Sequence, residues 1–192
     1  MKTIFILLIA VGLSSATFAE SYKVDKSKST VKWLAKKVTG QHNGTISMGE
    51  SLLYVENGKP VGGEFVIDMN SIVCVDLTDA EWNQKLIGHL RSDDFFSVEK
   101  FPAAELILTS VDAKGGNKYL FKGNLTIKGI THPAEFEATV STSGSEFTAE
   151  GTLVVDRTLY DVRYGSGKFF DNLGDKTIYD DFTLDFKVVA SK

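Results

Sequence analysis

The side chains able to do chemistry are scarce: arginine occurs only at 91, 157 and 163, histidine at 42, 89 and 132, and cysteine at 74 alone. Arginine's planar fork suits bidentate contact with a phosphate or carboxylate. Lysine supplies the rest of the 21 basic residues and scatters over polar positions, whereas each arginine stands in or beside a distinctive stretch. Arg157 follows Leu153 and Val155 in an alternating run, which makes it a candidate for meeting an anionic head group. The alternative for any of the arginines is a structural ion pair with Asp93, Asp94, Asp156 or Asp161. His89 lies beside Arg91 and Asp93, an arrangement that could move protons, although a histidine at a helix end more often caps free carbonyls. The three histidines lack the spacing of a metal motif and no cysteine pair accompanies them, so neither a metal nor another cofactor is expected. Cys74 can form no intramolecular disulfide; with no histidine or helix N-terminus evident beside it, it reads as a buried, unreactive thiol.

Strands must position these residues. Turn dipeptides recur at short intervals, among them Asn43-Gly44, Asn57-Gly58, Gly62-Gly63, Gly115-Gly116, Lys128-Gly129 and Ser143-Gly144, and between them lie runs rich in Val, Ile, Thr, Phe and Tyr. Several runs alternate. Phe65, Ile67 and Met69 oppose Glu64, Val66 and Asp68; Phe147 to Val155 and Ile178 to Val188 do the same, each with one apolar and one wet face. The runs fall near 22–25, 30–38, 43–56, 61–70, 103–112, 118–129, 133–141, 146–157 and 178–190. That many twisted strands curl shut, so the expected fold is all-β, an antiparallel up-and-down β-barrel of about eight strands. Its apolar face must point inward, because the opposite face carries Glu150, Asp185 and Lys187, which a lipid bilayer would not tolerate. One segment breaks the pattern: Thr78-Asp79-Ala80-Glu81 has the form of a capping box ahead of Trp82, Leu86 and Leu90. It predicts one short helix around 79–90, crossing an end of the barrel as a lid or plug.

At the start of the chain, Lys2 precedes an uncharged apolar run from Ile4 to Leu13 and a small, polar stretch ending at Ala19. This reads as a signal peptide over 1–19, cleaved near Ala19, leaving residues 20–192 as one periplasmic or secreted domain. The run is short of the roughly 20 apolar residues of a spanning helix, and no cysteine stands at the cleavage point for acylation. A formal net charge of −4 supplies no basic surface for nucleic acid. With 13 Phe, 6 Tyr and 2 Trp the interior is well provided. A small barrel can fill itself with side chains, and Gly123, Gly151, Ala138 and Ala149 would leave room inside.

Three stretches carry a family resemblance: Gly88-His89-Leu90-Arg91-Ser92-Asp93-Asp94-Phe95-Phe96 leading to Phe101-Pro102; Phe121-Lys122-Gly123-Asn124-Leu125-Thr126-Ile127-Lys128-Gly129-Ile130-Thr131; and Asp156-Arg157-Thr158-Leu159-Tyr160 with the C-terminal alternating run. In this order and spacing they resemble the YceI family of bacterial periplasmic proteins. The resemblance implies a lipocalin-like barrel that holds a polyisoprenoid or other long-chain, fatty-acid-like lipid, with no catalytic residue. Face assignment by alternation gives as the expected lining Phe65, Ile67, Leu106, Leu108, Phe121, Leu125, Phe136, Leu153, Val155, Phe182, Leu184 and Phe186, with the head group at a mouth near Arg157 and Tyr160. An insert at 164–176 departs from the family pattern and suggests a loop folded over that mouth. The rival readings are a barrel isomerase or hydrolase using His89, Asp93 or Tyr160, and a structural or stress-response protein with a filled core. Transient membrane contact and a homodimer are compatible with every one of these.

Overall fold

Alternating apolar and polar side chains put one row of every long strand toward a common interior, and the sheet closes on itself to bury that row. The computed structural model describes residues 19–192, so the signal peptide expected over 1–19 falls outside them but for Ala19. The strands are β1 (Glu20–Val24), β2 (Thr30–Lys37), β3 (Gly40–Met48), β4 (Leu52–Glu56), β5 (Lys59–Cys74), β6 (Ala103–Gly115), β7 (Lys118–Ile127), β8 (Ile130–Ser143), β9 (Glu146–Asp156) and β10 (Ile178–Ser191). The helix α1 (Ala80–Arg91) lies between β5 and β6. Among the described residues no helix is long and apolar enough to cross a membrane.

Every pairing is antiparallel. β1 and β2 are successive segments of one stave and β3 and β4 of the next: β1 pairs with β4, β2 with β3, both β1 and β2 with β10, and both β3 and β4 with β5. The ten strands thus make eight staves, each hydrogen-bonded to its neighbours in sequence, and β10 closes the ring on β1 and β2. This is the expected up-and-down barrel. The run expected as one strand over 43–56 is broken at Gly49 to Ser51, where buried Ser51 turns its Oγ to accept the Val66 N–H at 2.9 Å. The other break is an Asx turn: Asp25 Oδ1 accepts the Ser27 and Lys28 N–H groups at 2.9 and 3.3 Å.

One end of the barrel is made of tight hairpins such as Asn57-Gly58, whose φ values of 50° and 73° suit the twist of the flanking strands. The other end carries α1 and the long β9–β10 connection. The N-cap of α1 is Asp79 rather than Thr78, its Oδ1 accepting the Trp82 N–H at 3.0 Å. Glu81 then stands too early to complete a capping box and pairs instead with Lys85 at 2.6 Å. Trp82, expected on the apolar face, is 60% exposed, while Leu86, Ile87 and Leu90 pack against the core.

Two glycines give opposite expectations. A Cβ at Gly44 would collide with the Val73 carbonyl and stand 2.8 Å from the Trp33 ring, which lies across this glycine to donate Nε1–H to Val73 at 3.0 Å. Gly88, inside α1, has open space around it. Gly44→Ala should cost about 1–3 kcal/mol by overpacking, and Gly88→Ala should gain about 0.5–1 kcal/mol in helix propensity. Urea unfolding of the two variants checks both signs.

Candidate ligand-binding cavity

The inward rows do not fill the barrel. Side chains from β2 through β10 enclose a cavity of about 110 Å³, lined by Val31, Met48, Leu53, Pro60, Phe65, Ile67, Ala104, Leu106, Leu108, Phe121, Leu125, Phe136, Ala138, Val140, Phe147, Ala149, Leu153, Leu184, Phe186, Val188 and Ala190. Glu105 also adjoins it, though that residue is exposed. The inward-pointing Phe65, Ile67, Leu106, Phe136, Leu184, Phe186 and Val188 are only half-buried.

Ten of the side chains expected in the lining adjoin this cavity: Phe65, Ile67, Leu106, Leu108, Phe121, Leu125, Phe136, Leu153, Leu184 and Phe186. Alternation also held the signal for others that were not expected, such as Val31, Met48, Val140, Phe147 and Val188, which lie on the inward rows of their own strands. Ala138 and Ala149 border the cavity as expected of small residues, but Gly123 and Gly151 do not open it. A Cβ on Gly151 would meet the Glu137 carbonyl at 2.7 Å and the Phe186 ring at 2.9 Å, and one on Gly123 would press on the Ile107 carbonyl. These glycines admit neighbouring groups.

Val155, Arg157, Tyr160 and Phe182 lie outside the cavity lining, toward the end covered by α1. Val155 is packed in the core, and the Phe182 ring meets Phe96 edge-on at 6.3 Å. Tyr160 is buried with its ring against His132 at 5.4 Å, and burial, helped by the Asp156 charge, pushes its hydroxyl pKa up. Arg157, 4% exposed, is a clamp: Nε donates to Tyr179 at 3.1 Å, Nη1 to Val162 at 2.7 Å and Nη2 to Ile178 at 3.0 Å, all through backbone carbonyls. Asp180 Oδ1 stands 3.7 Å away, buried and without a hydrogen-bond partner. Burial lowers the guanidinium's pKa, and the charges of Asp180 and Asp156 oppose that shift. The expected mouth near Arg157 and Tyr160 is therefore a packed end. The 164–176 insert folds over it, with Ser166 fully buried and Tyr164 edge-on to His89 at 4.5 Å.

The remaining chemistry is dispersed among local partners. Arg91 donates to the Asn70 carbonyl, while Arg163 pairs with Asp161 at 2.6 Å and lies over the Phe169 ring. Asp93 is held by Lys100 at 2.6 Å, and His89 by Asp94 at 3.2 Å. Cys74 is buried, and burial, with a contribution from Asp76, raises its thiol pKa. His42, which is distant in sequence, reaches the same place through Asp76. Asp180 was missed, although it falls on the inward parity of the last strand between Ile178 and Phe182.

Along the barrel wall, β5 and β6 are hydrogen-bonded only from Glu64–Asp68 to Ala103–Ile107. Toward the hairpin end β5 pairs with β4 and β6 with β7, leaving a seam flanked by two cavity-lining residues, Pro60 and Leu108.

The YceI-like domain matches residues 22–190, and the chain belongs to this family. It is 28% identical over 152 residues to a UPF0312 protein of Pseudomonas putida, covering 76% of each chain. To a UPF0312 protein of Photorhabdus laumondii it is 30% identical over 148 residues, 69% of this chain and 68% of the other. Its fold is similar to that of BcnA from Burkholderia cenocepacia, with a TM-score of 0.70 and 26% identity over 88% of this chain and 99% of that one. It is also similar to a polyisoprenoid binding domain from Saccharophagus degradans implicated in plant cell wall breakdown, with a TM-score of 0.62 over 88% and 97% of the two chains; at 16% identity that likeness is one of fold.

Removing the clamp separates its structural role from head-group binding. Arg157→Met leaves three carbonyls without their donor and removes the positive charge beside Asp180, so stability should fall by about 3–5 kcal/mol and the 161–177 connection should become open to proteolysis. Urea unfolding and limited proteolysis of the ligand-free variant measure this; a group serving only a lipid head would leave both unchanged.

Proposed function

We propose that this member of the YceI-like family is a periplasmic binding protein that holds the tail of a long-chain apolar lipid, a polyisoprenoid or fatty-acid-like amphiphile, and carries it unchanged. The observation that carries this reading is the apolar cavity whose aromatic and aliphatic lining keeps accessible surface although it points inward. Such surface is costly to leave against water and is relieved by an apolar ligand. Each methylene taken from water gains roughly 0.8 kcal/mol; a void of about 110 Å³ takes only a few carbons as it stands, so a longer tail must part the half-buried lining as it enters. The competing site for such a lipid is a bilayer, which offers nearly the same gain. Exchange between barrel and membrane is then close to balanced, as a carrier requires.

Binding rather than turnover is favoured by the character of the lining, whose residues are apolar but for the outward-facing Glu105. The side chains suited to acid–base work are engaged elsewhere, His89 with Asp94 and Asp93 with Lys100. The way in that the strand pairing leaves is the β5–β6 seam beside Pro60 and Leu108.

Protein purified from its native compartment and extracted with organic solvent should yield a long-chain lipid by mass spectrometry. Recovery of no lipid, together with failure of the emptied protein to bind isoprenoids or fatty acids, overturns the reading. Conversion of an added lipid into a new species favours the enzyme. Ala149→Phe and Ala138→Phe fill the cavity from opposite neighbouring strands and should weaken lipid binding about tenfold or more, with thermal stability tracked in parallel to separate filling from overpacking.

A further inference from the structure

Where β3 and β5 run beyond the Trp33 ring, their inward rows end in polar residues. The register sets Gly44 against Cys74, and the ladder continues as the Val75 N–H donates to the Asn43 carbonyl at 3.0 Å. His42 therefore arrives opposite Asp76, although 34 residues separate them in sequence. Asp76 Oδ2 lies 2.9 Å from His42 Nδ1, and Oδ1 accepts the Cys74 thiol at 3.2 Å. One ligand atom from each of the three residues lies within 4.8 Å of the other two.

We propose that His42, Cys74 and Asp76 form a binding site for a borderline transition-metal ion of the zinc class, separate from the apolar cavity. Zinc takes sulfur at about 2.3 Å and imidazole nitrogen or carboxylate oxygen at about 2.0–2.2 Å, so atoms around a tetrahedral ion stand roughly 3.4–3.6 Å apart. The separations of 2.9 and 3.2 Å, and the 4.8 Å limit on all three, bracket that spacing. A thiolate and an imidazole select zinc or copper over magnesium and calcium, which require oxygen ligands.

The surroundings hold the ligands in place. The Asn43 N–H donates to Asp76 Oδ1 at 2.8 Å, orienting the carboxylate. From α1, the Asn83 side-chain amide donates to the Cys74 and Leu77 carbonyls at 3.0 and 2.8 Å, fixing the backbone that presents the thiol. The side chains of His42 and Asp76 are 31% and 28% exposed. An ion can enter from solvent at this end of the barrel, and water completes its coordination. Binding replaces the thiol proton by the ion and releases that proton to solvent, with no change of oxidation state.

The experiment uses the full chain purified without a histidine tag, reduced and metal-free, dialysed against zinc chloride and analysed for bound metal. One zinc per chain should be retained, with magnesium failing to compete. Cys74→Ser and His42→Ala should each weaken binding by more than the roughly 10–100-fold lost when outer partners alone are removed. Cobalt in place of zinc should show a thiolate-to-metal charge-transfer band that Cys74→Ser abolishes. His42 stands at the rim, so His42→Ala tests the site without opening the core, and circular dichroism reports the fold of each variant. Absence of retained zinc overturns the proposal. So does equal retention by folded variants, or cobalt bound without the thiolate band.

Discussion

Closure of the sheet through β10 is the constraint on which everything else depends. That strand pairs with β9 along its length, with β2 over most of it and with β1 at its last residues. Without these hydrogen bonds the inward rows of eight staves would be one face of an open sheet, and the chain would bury little of its apolar surface. Because β10 is the last and β1 and β2 are the first of the described strands, closure joins the two ends of the domain, and the loop entropy between them is lost in that step. The ladder also removes two exposed strand edges that would otherwise template aggregation.

A closed barrel of eight staves is narrow enough to fill itself, so an interior cavity needs a cause. It lies in how large and small residues are distributed among the inward rows. Phe121, Phe136 and Phe186 form a continuous aromatic group, stacked at 5.5 Å and edge-on at 5.4 Å. Rigid rings held by one another cannot collapse into the space left beside the small Ala104, Ala138, Ala149 and Ala190, all of which line the cavity. The arrangement gives up packing enthalpy that an aliphatic core would recover.

Period-2 alternation made most of this legible in the sequence, because a strand's inward row follows from its own residues whatever lies across the barrel. Ten lining positions could be read that way, and so could the family, from three motifs in order. The reading faltered where geometry depends on distant backbone. Arg157 continues an inward row and its type suits an anion, yet three of its donors go to the carbonyls of 162, 178 and 179, which no local pattern reveals. Gly123 and Gly151 looked like vacancies, but each accommodates a group from a neighbouring strand. The meeting of His42 with Asp76 required the β3–β5 register, including its irregularity between Thr45 and Ser47. Thr78 and Asp79 are both competent caps, and only the backbone trajectory into α1 decides between them.

The two ends of the barrel follow from this division. At the hairpin end the turns are short, their geometry is set by residues such as Asn57 and Gly58, and little else is needed. The opposite end must span the barrel's width with chain that has no sheet partner, and its polar backbone has to be satisfied by other means. Arg157 supplies three donors to that task from one side chain, and Lys168 ties the same connection to Asp156 at 2.8 Å and Asp180 at 3.6 Å. Aromatic packing of Tyr164 on His89 and Phe95 joins the insert to the last turn of α1 and to the segment following it. A cap assembled from so many mutually dependent contacts is a poor gate, because opening it would expose a buried guanidinium and its carbonyls together. The β5–β6 seam carries no such penalty: its strands already lack ladder hydrogen bonds toward the hairpin end, and apolar side chains from both strands line the cavity there. That wall can part at a smaller cost in satisfied polar groups than the capped end.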